Sequence, residues 1–196
     1  MSADSGYLAS VLAAISGPIV LVGHSYGGEV ITNAAAGNPN VKALVYVAAF
    51  APDAGETAGE LAAKFPGSQL TPENLVLRPF PVSATENSLD ASIDPARFHE
   101  IFCADLPATA AAAMGASQRP AAVTALGEPS GTPAWKTISS WYLVARHDRA
   151  IPADAERFMA QRMHARTREI NSSHVAMISH PKVVTDLVLG AARATR

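Results

Sequence analysis

A short apolar run that leads directly into a glycine-flanked serine constrains this chain more than any other feature. Residues 19–22 read Ile-Val-Leu-Val, and residues 23–27 read Gly-His-Ser-Tyr-Gly. A continuous apolar run rich in β-branched residues is typical of a strand buried on both faces of a parallel sheet. The next five residues fit the pattern G-x-S-x-G, which places a serine on a sharp turn between a strand and a helix. The sequence therefore predicts a buried strand, a tight turn at Ser25 and a following helix.

The flanking sequence alternates between apolar strands and amphipathic helices. Strands are predicted at 19–22, 41–50, 140–145 and 166–170, and helices at 7–15, 29–36, 154–163 and 183–192. This alternation implies an α/β fold with a mostly parallel sheet and helices on its faces. In such a sheet the functional side chains follow the carboxyl ends of the strands.

Residues 52–135 differ in composition from the rest of the chain. Ten of the 14 prolines lie there, and the short patterns between them, such as 95–104 and 108–117, are rich in alanine. Prolines at this density interrupt regular structure. We predict that residues 52–135 leave the sheet as a small helical cap, and that residues 1–51 and 136–196 form the core.

Ser25 is the candidate nucleophile, because the predicted turn lifts its hydroxyl above the sheet. We expect Gly23 and Gly27 to be required, since side chains there would collide across the turn. The following helix directs its positive dipole end at the site, so the N–H of Tyr26 is a candidate oxyanion donor. His24, the residue before Ser25, is a second candidate for contact with the oxyanion or the substrate. The alternative interpretation is a glycine-rich turn that buries its serine.

Asp148 is the candidate acid of the site. It follows the predicted strand at 140–145, and Pro152 opens the next helix four residues later. An aspartate in this position can orient a histidine and stabilise its protonated form. Asp154 is the competing carboxylate, but its place at the start of the predicted helix is better explained by capping.

His174 is the candidate base among six histidines. It alone lies in a loop directly after a late predicted strand, and it completes the order Ser…Asp…His along the chain. His147 is a competing candidate for the base, because it adjoins Asp148 in the sequence. In this arrangement Ser25 attacks an acyl carbon and His174 carries its proton to the leaving group, with no metal or organic cofactor.

The composition of the chain limits the kinds of molecule that it is expected to bind. The 196 residues carry a formal net charge of -2, and 16% of them are charged. Nucleic-acid binding is not expected without a basic surplus, and the apolar runs are too short to span a bilayer. Cys103 is the only cysteine, so neither an internal disulfide nor a thiolate metal site is expected. No leader is recognisable at the N-terminus, so we expect a cytoplasmic enzyme with a small-molecule substrate.

Together these residues resemble a bacterial α/β-hydrolase family, the esterase-like group related to plant methylesterases and hydroxynitrile lyases. The segments that carry the resemblance follow the family's order along nearly the whole chain, namely 23–28, 45–52, 141–144, 148–152 and 173–174. The resemblance implies an α/β-hydrolase fold, hydrolysis of carboxylic esters and a small helical cap over the site. Ser25, Asp148 and His174 match the triad positions of the family.

The resemblance breaks down at the N-terminus. Members of the family begin with further strands and a His-Gly loop that supplies a second oxyanion N–H, and no counterpart precedes the predicted helix at 7–15. We therefore expect the strand at 19–22 to be an apolar edge, which favours pairing with a second copy of the chain. Loss of one oxyanion donor typically lowers the rate by about 10²–10³.

Three functions stay open at this point. The leading one is a serine esterase for small apolar esters. The alternative is a catalytically weak or inactive hydrolase-like protein that binds a ligand or a partner. The third is a hydroxynitrile lyase or a cofactor-free haloperoxidase on the same fold. A lyase is expected to carry a cap lysine near the site, for which Lys64 and Lys136 are the candidates.

Overall fold

The computed structural model describes residues 1–195, and its main sheet is parallel. The strands lie in the order β1-β2-β6-β7, namely β1 (Ile19–Ser25), β2 (Val41–Ala49), β6 (Ser140–Ala145) and β7 (Arg166–Ile170). The bounds of β6 and β7 are those predicted from the sequence. β1 runs three residues further than predicted, because Gly23 and His24 continue to pair with β2.

Helices cover both faces of this sheet. One face carries α1 (Ser2–Ala13), α2 (Tyr26–Ala34) and α7 (Ala153–Arg162), and the other carries α9 (Pro181–Ala194). Because both faces are covered, every residue of β6 is buried, as a continuous apolar run predicts. No helix within residues 1–195 has the length and apolar character needed to cross a membrane.

β1 forms one edge of the main sheet. Within residues 1–195 it pairs with β2 alone. Val22, near its centre, leaves 43% of its surface exposed. The outer edge therefore lacks the charge or proline that commonly protects an edge strand.

The segment between β2 and β6 lies outside the main sheet and has a sheet of its own. This second sheet is antiparallel, with the order β3 (Leu75–Pro81), β4 (Asn87–Ile93) and β5 (Ala121–Ala122). The accompanying helices are α3 (Ala58–Ala63), α4 (Pro95–Phe102), α5 (Ala108–Ala116) and α6 (Val123–Leu126). Short 3₁₀ turns occupy Pro72–Asn74 and Ala134–Lys136, and α8 (Ala176–Ser179) precedes α9.

The cap is therefore not only helical, and its β-hairpin was not predicted from the sequence. Pro79 and Pro81 lie inside β3, where prolines usually argue against a strand. They are tolerated because β3 is an edge strand. Just beyond it, the N–H of Val82 donates to the carbonyl of Glu86 at 2.9 Å, and this register assigns the ladder hydrogen bonds of β3 to its even-numbered positions. The missing proline N–H groups thus fall on the unpaired side of the strand.

The two ends of the cap are joined to each other. The indole N–H of Trp135 donates to the carbonyl oxygen of Pro52 at 2.9 Å, in a buried position. Next to it, Lys136 Nζ lies 2.5 Å from a carboxylate oxygen of Asp53. The chain therefore leaves the core and returns to it at almost the same point.

Candidate active site

Ser25 lies where β1 ends and α2 begins, with no loop between them. Its backbone has φ 54° and ψ −127°, a conformation that residues other than glycine rarely adopt. Strained backbone of this kind persists only where the surrounding structure holds it, and it is concentrated at functional sites. The N–H of Phe50 donates to the carbonyl of Ser25 at 3.1 Å, which ties the turn to the end of β2.

Two glycines give this turn its room, but they are not the predicted pair. A Cβ on Gly23 would lie 2.6 Å from the carbonyl oxygen of Gly27, and a Cβ on Gly28 would lie 2.3 Å from that of Phe50. A Cβ on Gly27 would meet nothing within 4 Å. The expectation that Gly27 is sterically required is therefore wrong. Gly28 is required instead, because α2 begins directly against the end of β2.

Asp148 lies in the turn after β6 with its carboxyl buried. Its Oδ1 accepts hydrogen bonds from the N–H groups of Ala150 at 2.7 Å and Ile151 at 2.9 Å. These two backbone donors fix the direction of the carboxyl. The competing Asp154 lies on α7 and forms a surface ion pair with Arg157 at 2.7 Å.

His174 is the histidine that Asp148 contacts. Its Nδ1 lies 2.5 Å from Asp148 Oδ2, and the residue is fully buried. Because a carboxylate only accepts, Nδ1 carries the hydrogen and Nε2 is left as an acceptor. Nε2 is buried and has no hydrogen-bond partner within residues 1–195. His147, the rival base, is exposed, and its backbone N–H is bonded to the carbonyl of Ser172 at 3.0 Å.

Two side chains hold the loop that carries His174. The ring of His24 donates from Nε2 to the carbonyl oxygen of His174 at 2.8 Å. Desolvation, and then the nearby His174, lowers the pKa of His24 to about 3, so this ring is neutral at physiological pH. From the cap, Asp105 accepts from the N–H of Ser173 at 3.0 Å and also from its hydroxyl. The base is thus held from the core and from the cap.

The contact between Asp105 and Ser173 was not predicted from the sequence. Asp105 lies between α4 and α5, far along the chain from Ser173, and no local pattern links the two. His24 was predicted to contact the oxyanion or the substrate, whereas its ring is directed at the His174 loop and does not border the cavities at Ser25. Tyr26 begins α2, so its N–H belongs to the first turn, whose N–H groups have no partner within the helix.

Two cavities meet at Ser25. The first has a volume of about 420 Å³ and lies between Ser25, His174 and the apolar cap side chains of Ile93, Phe98 and Phe102. The second has a volume of about 480 Å³ and extends from Ser25 and Tyr26 along α3 to Phe65. A molecule bound at Ser25 therefore has apolar space on both sides. Within residues 1–195, no group of three or more His, Cys, Asp or Glu side chains could hold a metal ion.

A serine on a strand–turn–helix, an aspartate after a later strand and a histidine after the next one form the arrangement of the α/β-hydrolases. The sequence profile described as "Alpha/beta hydrolase family" matches residues 2–187. The chain belongs to the alpha/beta hydrolase family. No curated protein matches the sequence.

Solved structures of other proteins share the fold of this alpha/beta hydrolase. Polyneuridine aldehyde esterase superimposes with a TM-score of 0.80 at 18% identity, over 96% of this chain and 78% of its own. A pyrethroid hydrolase gives a TM-score of 0.73 at 22% identity, over 97% and 76%. A methylesterase from Arabidopsis gives a TM-score of 0.75 at 17% identity, over 95% and 75%. At these identities the likeness is one of fold, and this chain is the shorter one in each comparison.

Proposed function

We propose that this alpha/beta hydrolase is a serine esterase that cleaves small apolar carboxylic esters through an acyl-enzyme on Ser25. The observation that carries the proposal is the 2.5 Å contact between His174 Nδ1 and Asp148 Oδ2. Nε2 has no hydrogen-bond partner among residues 1–195, and His174 and Ser25 border the same cavity. A histidine oriented by a buried carboxylate, next to a serine on a strained turn, suits nucleophilic acyl transfer.

In the acylation half-reaction, Ser25 Oγ attacks the carbonyl carbon of the ester while His174 Nε2 takes the hydroxyl proton. The carbonyl oxygen becomes an oxyanion, and the N–H of Tyr26 at the start of α2 is positioned to donate to it. Asp148 stabilises the imidazolium and keeps Nδ1 protonated. The tetrahedral intermediate collapses when the C–O bond to the alcohol breaks and Nε2 returns its proton to the departing oxygen.

In the deacylation half-reaction, water replaces the alcohol. His174 Nε2 takes a proton from the water as its oxygen attacks the acyl carbon. Collapse of the second tetrahedral intermediate breaks the bond to Ser25 Oγ, and Nε2 returns the proton to that oxygen. A carboxylic acid and the free serine are the products.

The two cavities support the proposal that both the acyl group and the alcohol group of the substrate are apolar. His174 must protonate the leaving alcohol, so the alcohol group belongs in the cavity that His174 borders. The acyl group then occupies the cavity beside Tyr26 and α3. Esterases and a methylesterase are among the proteins that share this fold, which also supports the proposal.

The lysines weigh against the lyase alternative. Lys64 Nζ lies 4.9 Å from the ring centroid of Phe158, and Lys136 pairs with Asp53 at the base of the cap. Neither lysine borders the two cavities at Ser25. The esterase therefore explains the geometry better than a lyase that depends on a cap lysine.

A cytoplasmic location is part of the proposal. Cys103 is buried and unbonded. A free cysteine in the core is compatible with a reducing compartment, where disulfides are rare. Fractionation of the source cells with an antibody to the protein tests this point.

The decisive experiment compares hydrolysis of p-nitrophenyl acetate and butyrate by the native protein with that by Ser25→Ala. Ser10→Ala, which changes an exposed serine on α1, is the matched control. We expect the native protein and the control to release p-nitrophenol and Ser25→Ala to be inactive. In parallel, a fluorophosphonate should phosphonylate Ser25 in the native protein with loss of fluoride, which raises the mass by that of the reagent minus HF. A folded protein that neither turns over esters nor takes the label would support the binding-protein alternative instead.

A further inference from the structure

One carboxylate of the cap holds the loop of the candidate base and has no part in the steps above. Asp105, in the turn between α4 and α5, accepts hydrogen bonds from the N–H of Ser173 at 3.0 Å and from the hydroxyl of Ser173. Ser173 is buried and directly precedes His174. A residue that is bonded to one carboxylate through both its backbone and its side chain cannot rotate without losing a bond. The two bonds therefore fix where the backbone of His174 begins.

The loop that carries the base is short, and the contact with Asp105 reaches both sides of His174. β7 ends at Ile170 and α8 begins at Ala176, so only a short loop connects them. Within it, the N–H of Val175 donates to Ser173 Oγ at 3.5 Å. The residues before and after His174 are therefore both linked to the carboxylate of Asp105, and a shift of that carboxylate moves the base.

The turn that carries Asp105 is itself held in place. The N–H of Leu106 donates to the carbonyl of Cys103 at 3.0 Å, and the ring of His99 donates from Nε2 to the carbonyl of Leu106 at 2.9 Å. Cys103 is buried in an apolar cluster of the cap. A turn that is closed by its own hydrogen bonds and anchored in a core directs its side chains consistently. Asp105 is therefore a fixed support for the loop, although the residue is exposed.

The helix before this turn borders the cavity at Ser25. Phe102, at the end of α4, lines the first cavity together with Ser25 and His174. Its ring centroid lies 4.8 Å from that of His174. The end of α4 thus contacts the imidazole of the base, and the turn that follows contacts the backbone of the same loop. The cap and the base are connected at two neighbouring points of the chain.

We propose that Asp105 is a positioning residue for the reaction of Ser25, because it holds Ser173 and thereby keeps the imidazole of His174 where proton transfer requires it. This inference rests on the proposed esterase function. Asp105 borders neither cavity at Ser25, so it acts through the loop and not on the substrate. The cap then has two tasks: it lines the cavity, and it sets the position of the base.

The exposure of Asp105 separates its effect on position from its effect on stability. When Asp105 is replaced by an apolar residue, water can accept the N–H of Ser173 in its stead. Water satisfies the donor but does not fix where the residue lies. Removal of the carboxylate should therefore disturb proton transfer more than folding, since a misplacement of about 1 Å can lower the rate by about 100-fold.

Three variants test the proposal. Asp105→Ala removes both acceptors. Asp105→Asn keeps an oxygen for the N–H of Ser173 and offers its amide N–H to the hydroxyl oxygen, without the charge. Asp94→Ala is the matched control, because Asp94 accepts from the N–H of Ala96 at 2.9 Å at the start of α4. Its loss weakens the cap without removing a bond to the loop of the base.

Steady-state kinetics with a p-nitrophenyl ester distinguish positioning from a merely structural role. We expect Asp105→Ala to lower kcat by about 10- to 100-fold and to keep KM within about threefold of the native value, because the base is misplaced and the cavity is intact. Asp105→Asn should bring kcat back to within about threefold of the native value, and Asp94→Ala should leave kcat unchanged. A merely structural role predicts a raised KM with an unchanged kcat in Asp105→Ala. That result, or an Asp105→Asn no more active than Asp105→Ala, would overturn the proposal.

A measurement on the resting protein keeps this test apart from the test of esterase activity. The proton between His174 Nδ1 and Asp148 Oδ2, which lie 2.5 Å apart, should give a far-downfield ¹H resonance that disappears in His174→Ala. We expect this resonance to move in Asp105→Ala and to stay in place in Asp105→Asn and Asp94→Ala. An unmoved resonance in a folded Asp105→Ala would refute the positioning role even in a protein that hydrolyses no ester. Thermal unfolding shows which variants fold, and if Asp105→Ala does not, Ser173→Ala carries the same test because it removes the hydroxyl contact alone.

Discussion

The candidate base His174 has ionisable neighbours with little access to water. His24 lies on the core side of the His174 loop, and Asp148 and Glu156 lie on the side of β6 and α7. Only short turns separate Asp148 and His174 from the ends of β6 and β7, so the sequence predicted where both residues lie relative to these strands. It could not reveal that Glu156 is buried, because a glutamate on a helix is normally a surface residue and its burial depends on how α7 packs.

The pKa of His24 predicts an acid-sensitive fold. The unfolded chain binds a proton at this histidine below about pH 6.5, whereas the folded protein does not until about pH 3. Acid therefore favours the unfolded state, and the free energy of unfolding falls by about 1.4 kcal/mol per pH unit in that window. In His24→Gln this part of the pH dependence should be absent. Urea unfolding between pH 4.5 and pH 8 measures it.

His147→Gln is the control for that comparison, because His147 is exposed. It should retain the pH dependence of the native protein. If His24→Gln and His147→Gln follow the same curve as the native protein, His24 is protonated as readily in the folded state as in the unfolded one.

At the scale of the elements, the junction between α2 and the end of β2 determines where Ser25 points. The predicted importance of one glycine after the serine was correct in kind but one residue out of place. Gly27 faces open space, and Gly28 lies against Phe50. Local sequence cannot distinguish the two, because the collision at Gly28 comes from Phe50, which follows β2 and lies 22 residues later in the chain.

Matched substitutions at these two glycines test this account. Gly28→Ala should lower the free energy of unfolding by about 3 kcal/mol or prevent folding, since the new Cβ overlaps backbone that cannot move away. Gly27→Ala should change it by about 1 kcal/mol or less, because alanine suits a helix and has room. Chemical denaturation gives both values. Equal effects of the two substitutions would contradict the steric explanation.

The sequence predicted the bounds of the other strands with different accuracy. β6 and β7 have their predicted bounds, because each is a short run between clear turns. The predicted strand ended three residues before β1 does, because Gly-His-Ser has the sequence of a turn although its backbone still pairs with β2. The cap hairpin was missed because Pro79 and Pro81 disguise an edge strand. The end of β1 and the cap hairpin both depend on pairing with strands that are distant in the sequence. A local sequence pattern carries no information on that pairing.

At the scale of the whole molecule, β1 has one edge that pairs with no other strand among residues 1–195. Backbone N–H and C=O groups on that edge, with Val22 beside them, form a self-complementary template for another strand. We expect two copies of the chain to associate along β1. The expected dimer pairs like with like about a two-fold axis.

Light scattering after gel filtration tests the association. The native protein should be a dimer, and Val22→Lys should shift it towards the monomer, because a lysine at the paired edge is costly to bury. Val82→Lys, at an exposed position in the tip of the cap hairpin, is the control and should leave the dimer intact. A native protein that stays monomeric at all concentrations would rule out this interface.

The hydrogen bond from Trp135 to Pro52 has a consequence for how such a protein can diversify. The two ends of the cap are joined by this hydrogen bond, so residues can be inserted into the cap or removed from it without moving the sheet. The entropic cost of a longer cap is small, because the cost of closing a loop grows slowly with its length. The proposed reacting residues Ser25, Asp148 and His174 belong to the core, and many of the residues that line the cavity belong to the cap. Descendants of this chain could therefore exchange one cap for another and inherit the chemistry unchanged, provided that the new cap still offers an acceptor in the place of Asp105.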